Sequence, residues 1–118
     1  MIEVRRYITA GDKDVIGEWL AGLKDKKAWA KIRTRIARLR AGNYGDAKWI
    51  AEKIHELRID HGPGYRVYFT KLDRETVLLL CGGDKRTQTA NIARAIALRC
   101  DYEKRMSRRG QASRMRKR

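Results

Sequence analysis

The chain has 118 residues, 42% of them apolar, enough for one hydrophobic core and one domain. It carries 29 Lys and Arg against 14 Asp and Glu, a formal charge of +15 and a sequence pI near 10.4. That balance attracts polyanions and is foreign to most enzymes of small metabolites. No apolar run is long enough for a bilayer span, and the first residues lack the apolar stretch of a secretory signal, so a cytoplasmic location without membrane association is expected. Cys81 and Cys100 show no metal-ligand spacing and read as buried thiols.

Residues 2–8 alternate Ile2, Val4, Arg6 and Ile8 against Glu3, Arg5 and Tyr7, the period of a strand. Val15, Ile16, Trp19, Leu20 and Leu23 then recur at helical spacing, which predicts a helix over 12–23 with its N-cap at Gly11 or Asp12. A second helix capped by Asp25 places Trp29, Ile32, Ile36 and Leu39 on a core-facing stripe and ends at Gly42-Asn43. Its opposite face presents Lys27, Lys31, Arg35 and Arg38 as a basic ridge. Residues 42–48 read as a polar turn. A strand over 54–60 sets His55, Leu57 and Ile59 on one face and Glu56, Arg58 and Asp60 on the other. His61-Gly62-Pro63-Gly64 reverses the chain, and the returning strand 65–70 sets Tyr65, Val67 and Phe69 against Arg66, Tyr68 and Thr70. After a turn at 72–75, Thr76–Cys81 is apolar on both faces, as a central strand requires. The glycines of Gly82-Gly83-Asp84-Lys85-Arg86-Thr87 suggest a close backbone approach to a ligand, with two cations at the strand end. A final helix from about 87–89 buries Ile92, Ala93, Ile96, Ala97 and Cys100 and fades after 102–105.

The expected order is therefore β-α-α-β-β-β-α. It describes an α+β domain over 1–104, with helices packed over one face of an antiparallel four-stranded sheet. Residues 105–118 are expected to form a disordered basic tail. The eight basic and two acidic residues of 101–118 leave +9 on the rest, so the folded body is itself basic.

The run His55-Glu56-Leu57-Arg58-Ile59-Asp60-His61-Gly62-Pro63-Gly64-Tyr65-Arg66-Val67-Tyr68-Phe69, followed by Leu78 to Gln88, closely resembles the RelE/ParE toxin superfamily. Within it, the run is most similar to the HigB-like branch of addiction-module killer proteins. The resemblance spans about 1–104 and implies the toxin of a type II toxin-antitoxin system. Such a toxin arrests translation as a ribosome-dependent, metal-independent mRNA endonuclease and is neutralised by a cognate antitoxin protein. The implied partners are the antitoxin, the ribosome and mRNA, with no cofactor. The family's Gly-Tyr-Arg arginine falls on Arg66, and the cations after its last strand fall on Lys85 and Arg86. Gln88 to Ile92 holds no tyrosine, where ribosome-dependent nucleases of the RelE type carry one. A non-enzymatic, ParE-like inhibitor of DNA gyrase or another machine therefore stays open, as does a nucleic-acid-binding module on the toxin fold.

Metal-free RNA cleavage needs in-line attack by the 2′-hydroxyl, an acceptor for its proton and cations for the phosphorane. Arg66, Lys85 and Arg86 are the candidate cations; pairing of Arg66 with Glu56 or Asp60 across the strands is the structural alternative. His55 has a suitable intrinsic pKa but shares its face with Leu57 and Ile59. Arg58, Tyr68, Lys31, Arg35 and Arg38 are the candidate RNA contacts, Tyr68 by stacking on a base.

Overall fold

The computed structural model describes residues 1–116, with side chains described for 1–110. Its elements are β1 (Glu3–Arg6), α1 (Val15–Ala21), α2 (Lys26–Arg40), β2 (Ala47–Ala51), β3 (Ile54–Ile59), β4 (Tyr65–Asp73) and β5 (Thr76–Asp84). A short 3-10 turn (Lys85–Thr87) then leads into α3 (Gln88–Arg116). The class is α+β, and the sheet differs from the expectation in strand count and pairing. It has five strands in the order β1-β5-β4-β3-β2, antiparallel from β5 through β2, with β1 parallel to β5.

The added strand is β2. Ala47-Lys48-Trp49-Ile50-Ala51 does not alternate, because it is a short edge strand, bulged against β3, with Trp49 64% exposed. The parallel pairing of β1 follows from β5, which is buried along nearly its whole length and needs a hydrogen-bonded neighbour on each side. Both faces of the sheet are covered, not one. On one face α1 and α2 pack Ile16, Leu20, Ile32, Ile36 and Leu39 against Leu57, Ile59, Val67, Phe69, Val77 and Leu79. On the other, α3 lays Ala95, Ile92 and Ile96 over Ile54, Tyr68, Leu78, Leu80 and Cys81. A register shift opposes Tyr68 to Cys81 and Phe69 to Leu79, so Leu80 is the extra residue of a bulge. It joins Leu78 and Cys81 on the α3 side.

Asp14 caps α1, where its Oδ1 accepts from the Gly17 amide at 3.0 Å. The helix therefore starts later than the hydrophobic period alone suggests. Asp25 caps α2 as expected, accepting from the Lys27 and Ala28 amides. Trp29 is not core: Ala28 is the buried residue at that turn, and the indole lies at the surface under the Arg33 guanidinium, 4.8 Å from the ring centroid. On α3 the buried line is Ala95 and Arg99, while Ala93 and Ala97 face outward.

Helix α3 does not fade at 102–105 but runs on to Arg116, so residues 105–116 of the expected tail are helical; 117 and 118 lie outside the described residues. Its middle is clamped to the residues that follow β1. The Tyr7 hydroxyl donates to Asp101 at 2.5 Å, and Arg105 bonds both Asp101 (3.0 Å) and the Ile8 carbonyl (2.6 Å). No helix among the described residues is long and apolar enough to cross a membrane.

Candidate nucleic-acid interface

Strands β3, β4 and β5 end together at the turn Gly62-Pro63-Gly64 and the start of the 3-10 turn. Gly62 and Gly64 have φ of +55° and +81°, a region in which a side chain is strained. The Gly64 carbonyl accepts from the Lys85 amide at 2.9 Å, which ties the β3–β4 reversal to the end of β5. Between them lies an open cavity of about 390 Å³ lined by Arg58, Arg66 and Lys85, the three glycine and proline residues, and two rim carboxylates, Asp46 and Asp60.

Three of the expected cations meet here because of register. Arg58 pairs with Arg66 across β3 and β4, and Arg66 faces Gly83 on β5, which has no side chain to fill the space. Two like charges directly opposite would repel. Glu56, two residues along β3 on the same face, separates them. Its carboxylate is fully buried; Oε1 accepts from Arg58 Nε at 3.0 Å and lies 3.6 Å from Arg66 Nε. Oε2 accepts from the Tyr68 hydroxyl at 3.1 Å and from Gln88 Nε2, at the first residue of α3, at 2.7 Å. Arg66 Nη1 also donates to the Tyr65 carbonyl at 3.1 Å.

A second groove, of about 370 Å³, lies beside this cavity and shares Asp60 with it; its basic residues are Lys31, Arg35 and Arg38 of α2. Lys31 and Arg38 are exposed there. Arg35 is not part of a solvated ridge. Its guanidinium bonds the Arg58, Tyr44 and Asp46 carbonyls, holding α2 to the β2–β3 edge, and burial lowers its pKa.

The remaining expected site residues fall elsewhere. Arg86 folds back on Asp84 at 3.0 Å, and this bond is the main reason the Asp84 carboxyl sits below the usual carboxylate range. His55 is on the opposite face of β3, stacked on Phe69 with ring centroids 5.3 Å apart. Burial, with a smaller contribution from Lys71, pulls the His55 pKa down. It cannot share a substrate with Arg66. His61 is held by Asp25 at the N-terminus of α2, at 2.9 Å. Tyr68 is fully buried, and burial together with Glu56 raises its pKa, so it has no face to offer a base. Gly82 and Gly83 admit protein, not ligand: a Cβ at Gly82 would meet the Trp19 ring at 2.3 Å, and one at Gly83 would meet Asn91 Nδ2 at 1.9 Å.

Sequence reasoning named Glu56 only as an alternative partner of Arg66, a contact the structure contains at 3.6 Å, and missed its burial and its other bonds; Gln88 and Asp46 it missed altogether. Strand parity did place Glu56 on the face of Arg58, but a lone carboxylate in an exposed-looking alternation gives no sign of complete burial. Gln88 and Asp46 left no sequence signal, since their roles arise only where α3 starts and β2 turns in.

Fold and site together define a small basic α+β protein with an arginine- and lysine-lined cavity at one end of its sheet. No family model matches the chain. A Haemophilus influenzae protein (strain ATCC 51907 / DSM 11121 / KW20 / Rd) described as "Uncharacterized protein" is 53% identical over 77 residues, covering 65% of this chain and 78% of the relative. The chain belongs to the same family as that protein.

Proposed function

We propose that the chain is the toxin of a type II toxin-antitoxin pair, of the RelE/ParE superfamily and its HigB-like branch, and that it cleaves mRNA on the ribosome in the cytoplasm. The observation that carries this reading is the convergence of Arg58, Arg66 and Lys85 on one cavity beside the basic groove of α2. Guanidinium groups match a phosphate by their planar fork, and preorganised donors stabilise charge that develops on the phosphorane. Arg66 is the central donor, with Lys85 an exposed point charge beside it. Both imidazoles lie elsewhere, so the 2′-hydroxyl proton passes to a rim carboxylate, Asp46 or Asp60, or to a group of the ribosome. As the new P–O2′ bond forms the P–O5′ bond breaks, and the leaving 5′-oxygen takes a proton from water or the ribosome, leaving a 2′,3′-cyclic phosphate. Orientation by the ribosome supplies much of the rate, since positioning alone can be worth about 7–11 kcal/mol. A cognate antitoxin neutralises the toxin, and no cofactor takes part.

The absence of an imidazole from the cavity, and of a tyrosine from Gln88 to Ile92, favours a second reading. In it the protein is a non-enzymatic inhibitor of gyrase or another machine, or a nucleic-acid-binding module on the same fold. Brief induction in a bacterium fed labelled methionine and thymidine separates the readings. The nuclease stops methionine incorporation first, and Arg66→Ala restores it. Loss of thymidine incorporation first would instead support the gyrase reading. Killing unchanged by Arg66→Ala combined with Lys85→Ala would remove the site assignment.

A further inference from the structure

The buried carboxylate of Glu56 is the only acid among the described residues that lies within 4.0 Å of both Arg58 and Arg66. A buried acid is costly unless its lone pairs are satisfied, and here Tyr68, Gln88 and Arg58 donate to it. Arg58 donates to it through Nε at 3.0 Å, while Arg66 Nε, buried and without a hydrogen-bond partner, faces the same oxygen at 3.6 Å as an ion pair. The Nη groups of Arg58 have no hydrogen-bond partner among the described residues, and Arg66 uses only Nη1, on the Tyr65 carbonyl. The Arg58 guanidinium is thus held at its base by a hydrogen bond and that of Arg66 by charge attraction alone, and both line the cavity with Nη donors left over.

We propose that Glu56 is the positioning residue of the cavity, fixing Arg58 and Arg66 side by side so that their free Nη donors form one preorganised receptor for an RNA phosphodiester. The inference rests on the reading of this cavity as a phosphate site. It explains why an acid sits at the centre of an anion-binding surface. Two arginines paired across strands would otherwise splay apart, and the carboxylate exchanges some attraction for the polyanion against a fixed geometry. Gln88 extends the arrangement to α3, so the helix start and the arginine pair are set together.

The proposal can be separated from simple electrostatics by the sign of one effect. Removing a negative charge beside an anion site should tighten binding of a polyanion by Coulomb attraction alone. If Glu56 acts by positioning, Glu56→Gln weakens it instead. The measurement is fluorescence anisotropy of a labelled single-stranded RNA oligonucleotide with the full-length chain. For Glu56→Gln, about tenfold weaker binding is expected, the size of one lost charge-assisted contact. Glu56→Asp keeps the charge but withdraws the carboxylate by one methylene, and it should weaken binding in the same direction. This second variant also carries the test should the glutamine variant not fold. The arginine Nε–H signal of Arg58 in proton–nitrogen spectra reports geometry directly: slow exchange in the wild type and fast exchange in Glu56→Asp are expected. Wild-type or tighter binding by both Glu56 variants, while Arg66→Ala and Lys85→Ala bind weakly, would overturn the positioning role and leave the phosphate site standing. Wild-type binding by Arg66→Ala and Lys85→Ala would overturn the phosphate site and the positioning role with it.

Discussion

Strands β3 and β4 carry two faces built on different physics. Toward α1 and α2 they present Leu57, Ile59, Val67 and Phe69, an apolar layer in which the His55 ring is stacked on Phe69 and its pKa is lowered by burial. Toward α3 the same strands present Glu56, Arg58, Arg66 and Tyr68, a charged network whose acid is fully buried and whose arginines reach the surface. The first face stabilises by burial, which is non-directional and tolerant of small shifts. The second works by geometry, since each group has one useful partner at one distance. A single pair of strands thus separates an apolar packing face from the charged face on which the proposed function rests, by the alternation of its side chains.

The largest effect should come from the apolar face. Phe69→Ala, which removes a fully buried ring between Tyr44 and His55, should cost about 3–5 kcal/mol in chemical denaturation. The RNA affinity of the protein that remains folded should be kept. Arg66→Ala should invert that pattern: a loss of about 2.7–4 kcal/mol in transition-state stabilisation, read as mRNA cleavage on ribosomes, with a smaller drop in stability because Glu56 keeps three donors. Equal damage to stability by both variants would break the division of labour.

The two glycines of β5 sharpen the same contrast, one on each face. Gly82→Ala drives a methyl into the indole of Trp19, a residue of α1 packed on the sheet, and should cost about 1–3 kcal/mol, measured by thermal melting. Gly83→Ala meets the amide end of Asn91 and, at 3.1 Å, the Thr87 hydroxyl; both are side-chain ends that can swing aside at the expense of the bond between them (2.6 Å), so its loss should be the lesser. The smallest effect concerns pH. The folded His55 pKa lies below the ordinary value, so the unfolded chain takes up the proton first on acidification. The associated stability is complete above about pH 6.5 and is lost as pH falls from there toward the folded pKa. His55→Leu should flatten the fall of melting temperature across that window.

What the residues determined by themselves was everything that depends on local period and local chemistry. The helical hairpin with Asp25 as a cap, the reversal at Gly62-Pro63-Gly64, the central strand 76–81 and the shared face of Arg66 and Tyr68 all follow from spacing within a few residues. So does the basic character of the body. Tertiary structure decided whatever depends on which elements meet. That α3 covers the second face of the sheet is what buries Glu56 and Tyr68, and a strand with one face toward solvent has the same alternation as one whose polar face is roofed by a helix. The parallel return of β1 to β5 joins residues more than seventy positions apart, a pairing with no local period to announce it. Likewise Lys85 reached the arginine cavity and Arg86 did not: neighbours in one 3-10 turn, they leave it in different directions, one to the strand ends and the other back to Asp84.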